Sequence, residues 1–210
     1  MLCQFTVKNY KSIRDEVTFD MQAAAISEHE DRIIKDQDGE MYLPVSAIYG
    51  PNGGGKSNVL AALHTLVAKI LRPLFATEDS NDKVLLQKKI IVEPFAFSES
   101  KNEPTEFELF FRTDAAEYRY ILRVKRDVVL YESLNRVKLE TGRRSALFTR
   151  DEKGIELKGE FAKLKVSDEL SKTLTLLSYL GIAYKGNAVV KDVLSWFEYD
   201  IEFLNYGNPI

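Results

Sequence analysis

The sequence contains one run of residues whose types and spacing suit phosphate chemistry. Residues 50–57 read GPNGGGKS and fit the pattern G-x-x-x-x-G-K-[ST]. Such a loop curls so that successive backbone N–H groups point inward at phosphate oxygens. Glycine permits that curl and leaves no side chain between the backbone and the phosphates. The predicted phosphate-binding residues are Gly50, Pro51, Asn52, Gly53, Gly54, Gly55, Lys56 and Ser57.

The polar side chains at the end of this run have separate expected roles. Lys56 supplies a positive charge for the β- and γ-phosphates, and Ser57 offers its hydroxyl to Mg²⁺, which keeps most of its own waters. The sequence therefore predicts ATP and Mg²⁺ as ligands, with Ser57 at the metal. Asn58 has two open interpretations, which are a contact with the α-phosphate and an ordinary place in the first turn of a helix.

A phosphate-binding loop of this kind needs a strand before it and a helix after it. The run LPVSAIY, residues 43–49, is apolar and rich in β-formers, so it predicts the strand. Apolar residues recur at helical spacing from Val59 to Leu71, which predicts a helix that begins near Ser57 and ends before Pro73. The N-terminus of that helix would add unpaired N–H groups for the phosphates.

The chain around this unit is predicted to be mostly β-structure. Residues 3–7 and 17–21 alternate apolar and polar side chains, which predicts two strands joined around KSIRD. The run KIIVEPFAF, residues 89–97, is apolar and β-branched. The runs TEFELFF and EYRYILRV predict a hairpin with apolar pairs on one face and opposite charges on the other. The expected pairs are Phe111 with Tyr118, Leu109 with Tyr120, Phe107 with Leu122, Glu106 with Arg123, and Arg112 with Glu117.

The last third of the chain is predicted to change from strands to helices. Residues 128–140 and 145–158 indicate further antiparallel strands, with Gly154 in a turn. Leu170, Leu174 and Leu177 share a helix face, with Ser167 or Asp168 as its N-cap. Residues 189–197 indicate a second helix. We expect a single P-loop NTPase lobe over residues 1–210, divided into residues 1–75, a β-rich part at 84–160 and a helical part at 165–200.

Composition limits the alternatives. Of the 210 residues 45% are hydrophobic, which is enough for a core, and the net charge of −3 argues against a generally basic nucleic-acid-binding face. No long uncharged apolar run and no signal-peptide pattern is seen, so we expect a cytoplasmic protein with no membrane partner. One cysteine, Cys3, and two histidines, His29 and His64, leave little from which to build a disulfide, a zinc site or a Cys–His pair.

The loop YGPNGGGKSN resembles the nucleotide loop of ABC-type ATPase heads, in the branch that contains RecF, SMC and SbcC-like DNA repair proteins. Its spacing is most similar to standalone bacterial ATP-binding proteins of the RecF/overcoming-lysogenisation-defect type, many of which are associated with phage defence. The runs FTVKNYKSIRDEVTF and EPFAFSESKNEPTEFELFF also resemble this group. The resemblance implies an α/β (α+β) P-loop NTPase fold, as an ABC-ATPase-like N-terminal lobe with a β-rich antiparallel subdomain and C-terminal helices.

The resemblance also implies residues and partners. The positions that match Lys11 and Ser12 lie beside the nucleotide phosphates in SMC and SbcC-like heads, although two polar residues in an exposed hairpin turn would look the same; Arg14 is a second candidate. Heads of this type hydrolyse ATP between two subunits, so a homodimer formed through the nucleotide is expected, with DNA or an effector nuclease as an open partner.

The catalytic motifs of such heads are missing from this sequence. Neither KIIVEP nor VVLYES gives four apolar residues followed by Asp-Glu, and Glu93 and Glu132 are better interpreted as strand-end residues. No LSGGQ-like signature is present, and Gln87 is a weak candidate for the glutamine that senses Mg²⁺. We therefore expect no catalytic residue here, but a lobe whose Walker B and signature motifs come from a C-terminal lobe of the same or a split protein.

Two other function classes stay open. A different P-loop enzyme, such as a small GTPase or nucleotide kinase, is disfavoured because no N-K-x-D motif follows and the β-rich part breaks the βαβ alternation. A non-catalytic nucleic-acid-binding module is suggested by basic residues in the β-rich part, but interleaved acids favour a salt-bridged sheet face. Those basic residues are Arg119, Arg123, Lys125, Arg126, Arg136, Lys138, Arg143 and Arg144.

Overall fold

One antiparallel sheet organises the fold. A computed structural model of the chain describes residues 1–24, 29–75, 90–97 and 99–204. Within these residues the sheet has seven strands in the order β2-β1-β5-β6-β7-β8-β9, and β3 pairs with β4 in a separate two-stranded ribbon. The strands are β1 Leu2–Lys8, β2 Val17–Asp20, β3 Ile34–Lys35, β4 Met41–Tyr42, β5 Thr105–Arg112, β6 Ala116–Lys125, β7 Val128–Lys138, β8 Arg144–Asp151 and β9 Gly154–Leu157.

The hairpins predicted from alternating side chains are confirmed. In β1 and β2, Phe5 lies opposite Phe19 and Val7 lies opposite Val17. All five pairs predicted for β5 and β6 are present in register, with the apolar members buried in the core. The alternation fixes this register because a shift by one residue would turn the whole apolar face outward.

Helix α1, Lys56–Phe75, covers the apolar face of the sheet. It has the length and hydropathy of a membrane span, but Leu66, Ile70 and other apolar residues on its inner side are buried, as in the core helix of a folded domain. Pro73 does not end the helix, because a missing N–H so near the C-terminus removes only one hydrogen bond of the last turn.

Two short helices complete the inner layer, α2 over Leu176–Ala183 and α3 over Ala188–Ser195, and α3 continues into a π-helical turn. The second predicted helix is confirmed. The first begins later than predicted: Leu170 and Leu174 lie in turns, and the N-cap is Thr175, whose side chain accepts from the Ser178 N–H. Trp196 and Phe197 are buried against Phe111 and belong to the core.

A buried carboxylate sets the start of α2. Glu132, on β7, accepts the N–H groups of Leu176 at 2.6 Å and Leu177 at 2.9 Å, and the Tyr120 hydroxyl at 2.9 Å. Arg150 lies 4.0 Å away and donates to the Leu174 carbonyl. Glu132 thus pairs the unsatisfied N–H groups of a helix N-terminus across the core.

The strand predicted over residues 43–49 is wrong. No described strand runs beside this segment, and within the described residues no N–H of residues 45–49 donates a hydrogen bond. Val45 is 77% exposed and Tyr49 is 89% exposed. A strand forms only where a neighbour supplies the ladder partners, and no described residue supplies them to residues 45–49.

Residues 90–97, from the run predicted to be β-forming, also hold no strand; residue 89 lies outside the described residues. The Val92 N–H donates to the carbonyl of Arg126 in the β6–β7 turn, at 2.8 Å, so its backbone pairs with a turn. Residues 29–42 hold a short 3₁₀ turn at Glu30–Arg32 and the β3–β4 ribbon. That ribbon is held by Arg112, which pairs with Asp36 and Asp38 at 2.9 and 2.8 Å.

Candidate phosphate-binding site

The glycine-rich loop has the curled form that its sequence predicts. Gly53 has φ +79° and Gly55 has φ +83°, a region that side-chain-bearing residues rarely adopt. Helix α1 starts immediately after the loop, at Lys56. The unpaired N–H groups and partial positive charge of its N-terminus therefore adjoin the loop, an arrangement that favours anions.

Lys56 holds its own loop together. Its Nζ donates to the carbonyl of Gly50 at 2.7 Å and to that of Pro51 at 2.8 Å. Both acceptors belong to the first residues of the motif, so the ammonium lies across the mouth of the curled backbone. A phosphate in this loop would meet the positive charge without a rearrangement of the helix.

An open cleft of about 470 Å³ lies over the loop. None of its described lining residues is acidic, and Lys56 carries the one charged side chain among them. The set fits a phosphate chain and its magnesium ion, because it combines the N–H groups of a curled loop, one ammonium group and the Ser57 hydroxyl. The lining residues are Ser12, Asn52, Gly53, Gly54, Gly55, Lys56, Ser57 and Asn58.

The structure separates the two residues that the resemblance placed at the phosphates. Ser12 lines the cleft, and Asn58 Nδ2 donates to its Oγ at 2.7 Å. Lys11, on the same turn, does not line the cleft, and its ammonium lies 5.4 Å from the ring centroid of Tyr10. Arg14 forms an exposed ion pair with Asp15 at 2.7 Å.

The acids that were weighed as catalytic candidates lie elsewhere. Glu132 is fully buried in the core, where desolvation raises its pKa, and its contacts serve α2. Glu93 is exposed, and its backbone carbonyl accepts the Lys11 N–H at 2.9 Å. Gln87 lies outside the described residues. Within the part of the chain that the structure describes, no carboxylate lines the cleft beside Ser57.

Four of the eight basic residues in the β-rich part form ion pairs with described glutamates. Arg119 pairs with Glu108 and Arg123 with Glu106, while Arg136 and Lys138 share Glu160. The nearby aromatics Phe107, Phe111, Tyr118 and Tyr120 are buried, as expected for core residues. These contacts favour the salt-bridged sheet over a nucleic-acid surface.

Two contacts near the site have no signal in the sequence. The bond between Asn58 and Ser12 joins residues 46 positions apart, and no periodicity links them. His64 is exposed on α1 and makes an edge contact with Phe203, with ring centroids 5.0 Å apart.

A comparison with protein families gives one match to the chain. The model of the family described as "AAA domain, putative AbiEii toxin, Type IV TA system" matches residues 45–203, which is well over half of the sequence. No curated protein matches the chain. The matched range begins in the segment before the phosphate-binding loop and includes all of that loop, α1 and the strands from β5 onward.

Proposed function

Because the chain belongs to this AAA-domain family, we propose that it is the ATP-binding lobe of an ABC-type, RecF-like ATPase head. The observation that carries the proposal is the curled glycine loop at the N-terminus of α1, with Lys56 across its mouth. Phosphate binding is the chemistry that this geometry serves best.

Each group in the cleft has a distinct task in that proposal. The backbone N–H groups of Gly53, Gly55, Lys56 and Ser57 bind the phosphate oxygens, while the Gly54 N–H donates to the Pro51 carbonyl within the loop. Lys56 leaves the Gly50 and Pro51 carbonyls to neutralise the outer phosphates. Ser57 holds Mg²⁺, which when bound neutralises further charge on the phosphates. Ser12 approaches from the β1–β2 side as an additional hydroxyl donor.

The lobe is half of a catalytic site. Phosphoryl transfer needs an acid that helps to hold the metal and a group that orients the attacking water, and the lining residues of the described cleft include neither. In our proposal a second lobe, on the same or a separate polypeptide, supplies both. Resemblance to ABC-type heads supports this division, since their Walker B and signature motifs belong to a second lobe.

The second lobe would dock on the segment that leads into the loop. Val45 and Tyr49 are largely exposed there, and the N–H groups of residues 45–49 have no partner in the described chain. On the neighbouring helix α1, Leu60 is 51% exposed. An apolar strand laid along residues 43–49 would pair this backbone, cover these side chains and place its end beside Ser57.

In the cell, the complete head would act as a nucleotide-gated switch. ATP would close a homodimer across the nucleotide and hydrolysis would reopen it, driving an attached effector nuclease or a DNA transaction in the cytoplasm. Resemblance to RecF-like and overcoming-lysogenisation-defect-type proteins supports a role in DNA repair or phage defence.

Steady-state hydrolysis by the chain tests the half-site. We expect ATP turnover close to the buffer background with Mg²⁺, although ATP binds and outcompetes GTP. Robust Mg²⁺-dependent turnover that is lost in Lys56→Ala would contradict the proposal that the chain lacks part of the catalytic site. Equal binding of GTP would favour a different P-loop enzyme.

A further inference from the structure

Ser12 reaches the phosphate-binding cleft from a turn whose conformation is fixed on several sides. Tyr10 and Ile13 exchange two backbone hydrogen bonds, at 2.8 and 2.7 Å, and the Tyr10 hydroxyl bonds to Thr65 of α1 at 2.9 Å. Lys11 holds φ +48° and donates its N–H to the Glu93 carbonyl. A left-handed conformation at a long side chain persists only where its surroundings enforce it.

The residue before the turn strengthens this anchoring. Asn9 is 1% exposed, and its amide group donates to the carbonyls of Ser100, Glu103 and Pro104 and accepts the Phe95 N–H. The β1–β2 turn is therefore attached to α1, to Phe95 and to the backbone of residues 100–104. The backbone of Ser12 has little freedom to move away from the loop.

Gly55 shows how close Ser12 lies to the loop. A Cβ built at Gly55 would be 3.0 Å from Ser12 Oγ, tighter than an ordinary contact. The hydroxyl oxygen thus lies against the backbone that would surround a phosphate. A glycine at position 55 therefore serves two needs: it leaves room for the Ser12 hydroxyl, and it adopts the positive φ.

The hydrogen bond from Asn58 directs the Ser12 hydroxyl proton away from Asn58. Asn58 Nδ2 donates to Ser12 Oγ at 2.7 Å, so the serine oxygen serves as an acceptor in this bond. A hydroxyl that accepts one hydrogen bond still has its own O–H to donate. Since Ser12 and Asn58 both line the cleft, that O–H is available to an anion in the loop.

We propose that Asn58 is a positioning residue, which orients Ser12 so that the serine hydroxyl donates to a phosphate oxygen of the bound nucleotide. This inference rests on the proposed function and adds a role for Asn58 other than a direct contact with the α-phosphate. Asn58 lies on α1 two residues after Lys56, so one helical turn would carry the lysine, the metal-binding hydroxyl and the group that orients Ser12.

A double-mutant cycle tests the pair in the full chain, with Mg²⁺-ATP affinity measured by calorimetry. Ser12→Ala should weaken binding about tenfold or more, because it removes a donor to a charged group. Asn58→Ala should weaken it about three- to tenfold, and the double variant should bind no more weakly than Ser12→Ala. Asn135→Ala, on β7 and outside the lining of the cleft, is the matched control and should bind as the wild type does.

Further variants separate positioning from simple packing. Ser12→Thr keeps the hydroxyl and should restore most of the affinity. Asn58→Asp can only accept the serine proton, so it should weaken binding more in the wild-type background than in Ser12→Ala, where only the added charge acts. Equal effects in both backgrounds, or additive effects of the two alanine substitutions, would overturn the proposal. Absence of wild-type binding would instead overturn the proposed function.

Discussion

Cys3 is the single cysteine of the chain, and the side chain is buried under the sheet edge. Burial raises the pKa of its thiol to about 11. Because the folded pKa lies above the unfolded value of about 8.5, the thiol contributes stability that is complete below pH 8.5. This contribution is lost as the pH rises from about 8.5 to about 11.

The alkaline pH dependence of stability therefore depends in part on Cys3. We expect the free energy of unfolding, measured with urea, to fall more steeply between pH 8.5 and 11 in the wild type than in Cys3→Ala. A constant offset from the smaller side chain does not affect this comparison of slopes. Parallel pH profiles for the two proteins would contradict the prediction.

At the scale of residues, the sequence predicts the backbone geometry of the loop well and the contacts around it poorly. Gly53, Gly55 and Lys56 have geometry that follows from local motif physics, so the motif alone suffices. Ser12 was placed at the site by family resemblance, whereas Lys11, included on the same basis, points to Tyr10 instead. The bond from Asn58 to Ser12 depends on how β1 packs on α1, which a single sequence does not encode locally.

At the scale of elements, the start of α2 depends on a charge from another strand. Glu132 accepts two helix N–H groups and a tyrosine hydroxyl in a buried environment. We expect Glu132→Ala to lower the free energy of unfolding by about 3–5 kcal/mol, because several buried donors lose their partner. Thr175→Ala, which removes only the N-cap side chain, should cost about 1 kcal/mol.

Urea denaturation of both variants gives the measurement, with Glu156→Ala as the control. Glu156 is a glutamate on β9 whose side chain is 67% exposed and pairs only at the surface, with Lys158, so its replacement should change stability little. The account of α2 would be wrong if Glu132→Ala were as stable as Glu156→Ala.

The sequence predicts an element where its local pattern is strong, and misses one where contacts from distant residues decide the backbone. The register of β5 and β6 follows from alternation that repeats over eight residue pairs, so tertiary context confirms a strong local pattern. The helix at Leu170 was wrong because its leucine spacing is weak, while Arg150 binds the carbonyls of Ser171 and Leu174 and holds that segment in turns.

At the scale of the whole molecule, no described strand pairs with the segment before the loop. Its apolar run predicts a strand, and the side chains are those of a buried strand, yet Val45 and Tyr49 face solvent. Local sequence specifies the preference for a strand, but the pairing has to come from another part of the sheet. By contrast, the predicted hairpins of the antiparallel sheet have both strands within the described residues, and they are confirmed.

Hydrogen exchange tests the state of this segment. We expect the amides of residues 45–49 to exchange within seconds in the chain alone, because none of them donates a hydrogen bond to a described residue, while amides of β6 exchange slowly. Addition of a second lobe that supplies the missing strand should protect them. Strong protection in the chain alone would contradict the structure of the segment.

Calorimetric titration of Mg²⁺-ATP into the chain is the most direct test of the central claim, that residues 50–57 bind the nucleotide phosphates. The account predicts one site per chain, weakened about ten- to a hundredfold in Lys56→Ala because an ammonium contact to a charged phosphate is lost. Lys153→Ala, which removes an exposed lysine in the β8–β9 turn, should bind as the wild type does. No binding by the wild type, or equal affinity in Lys56→Ala, would contradict the claim.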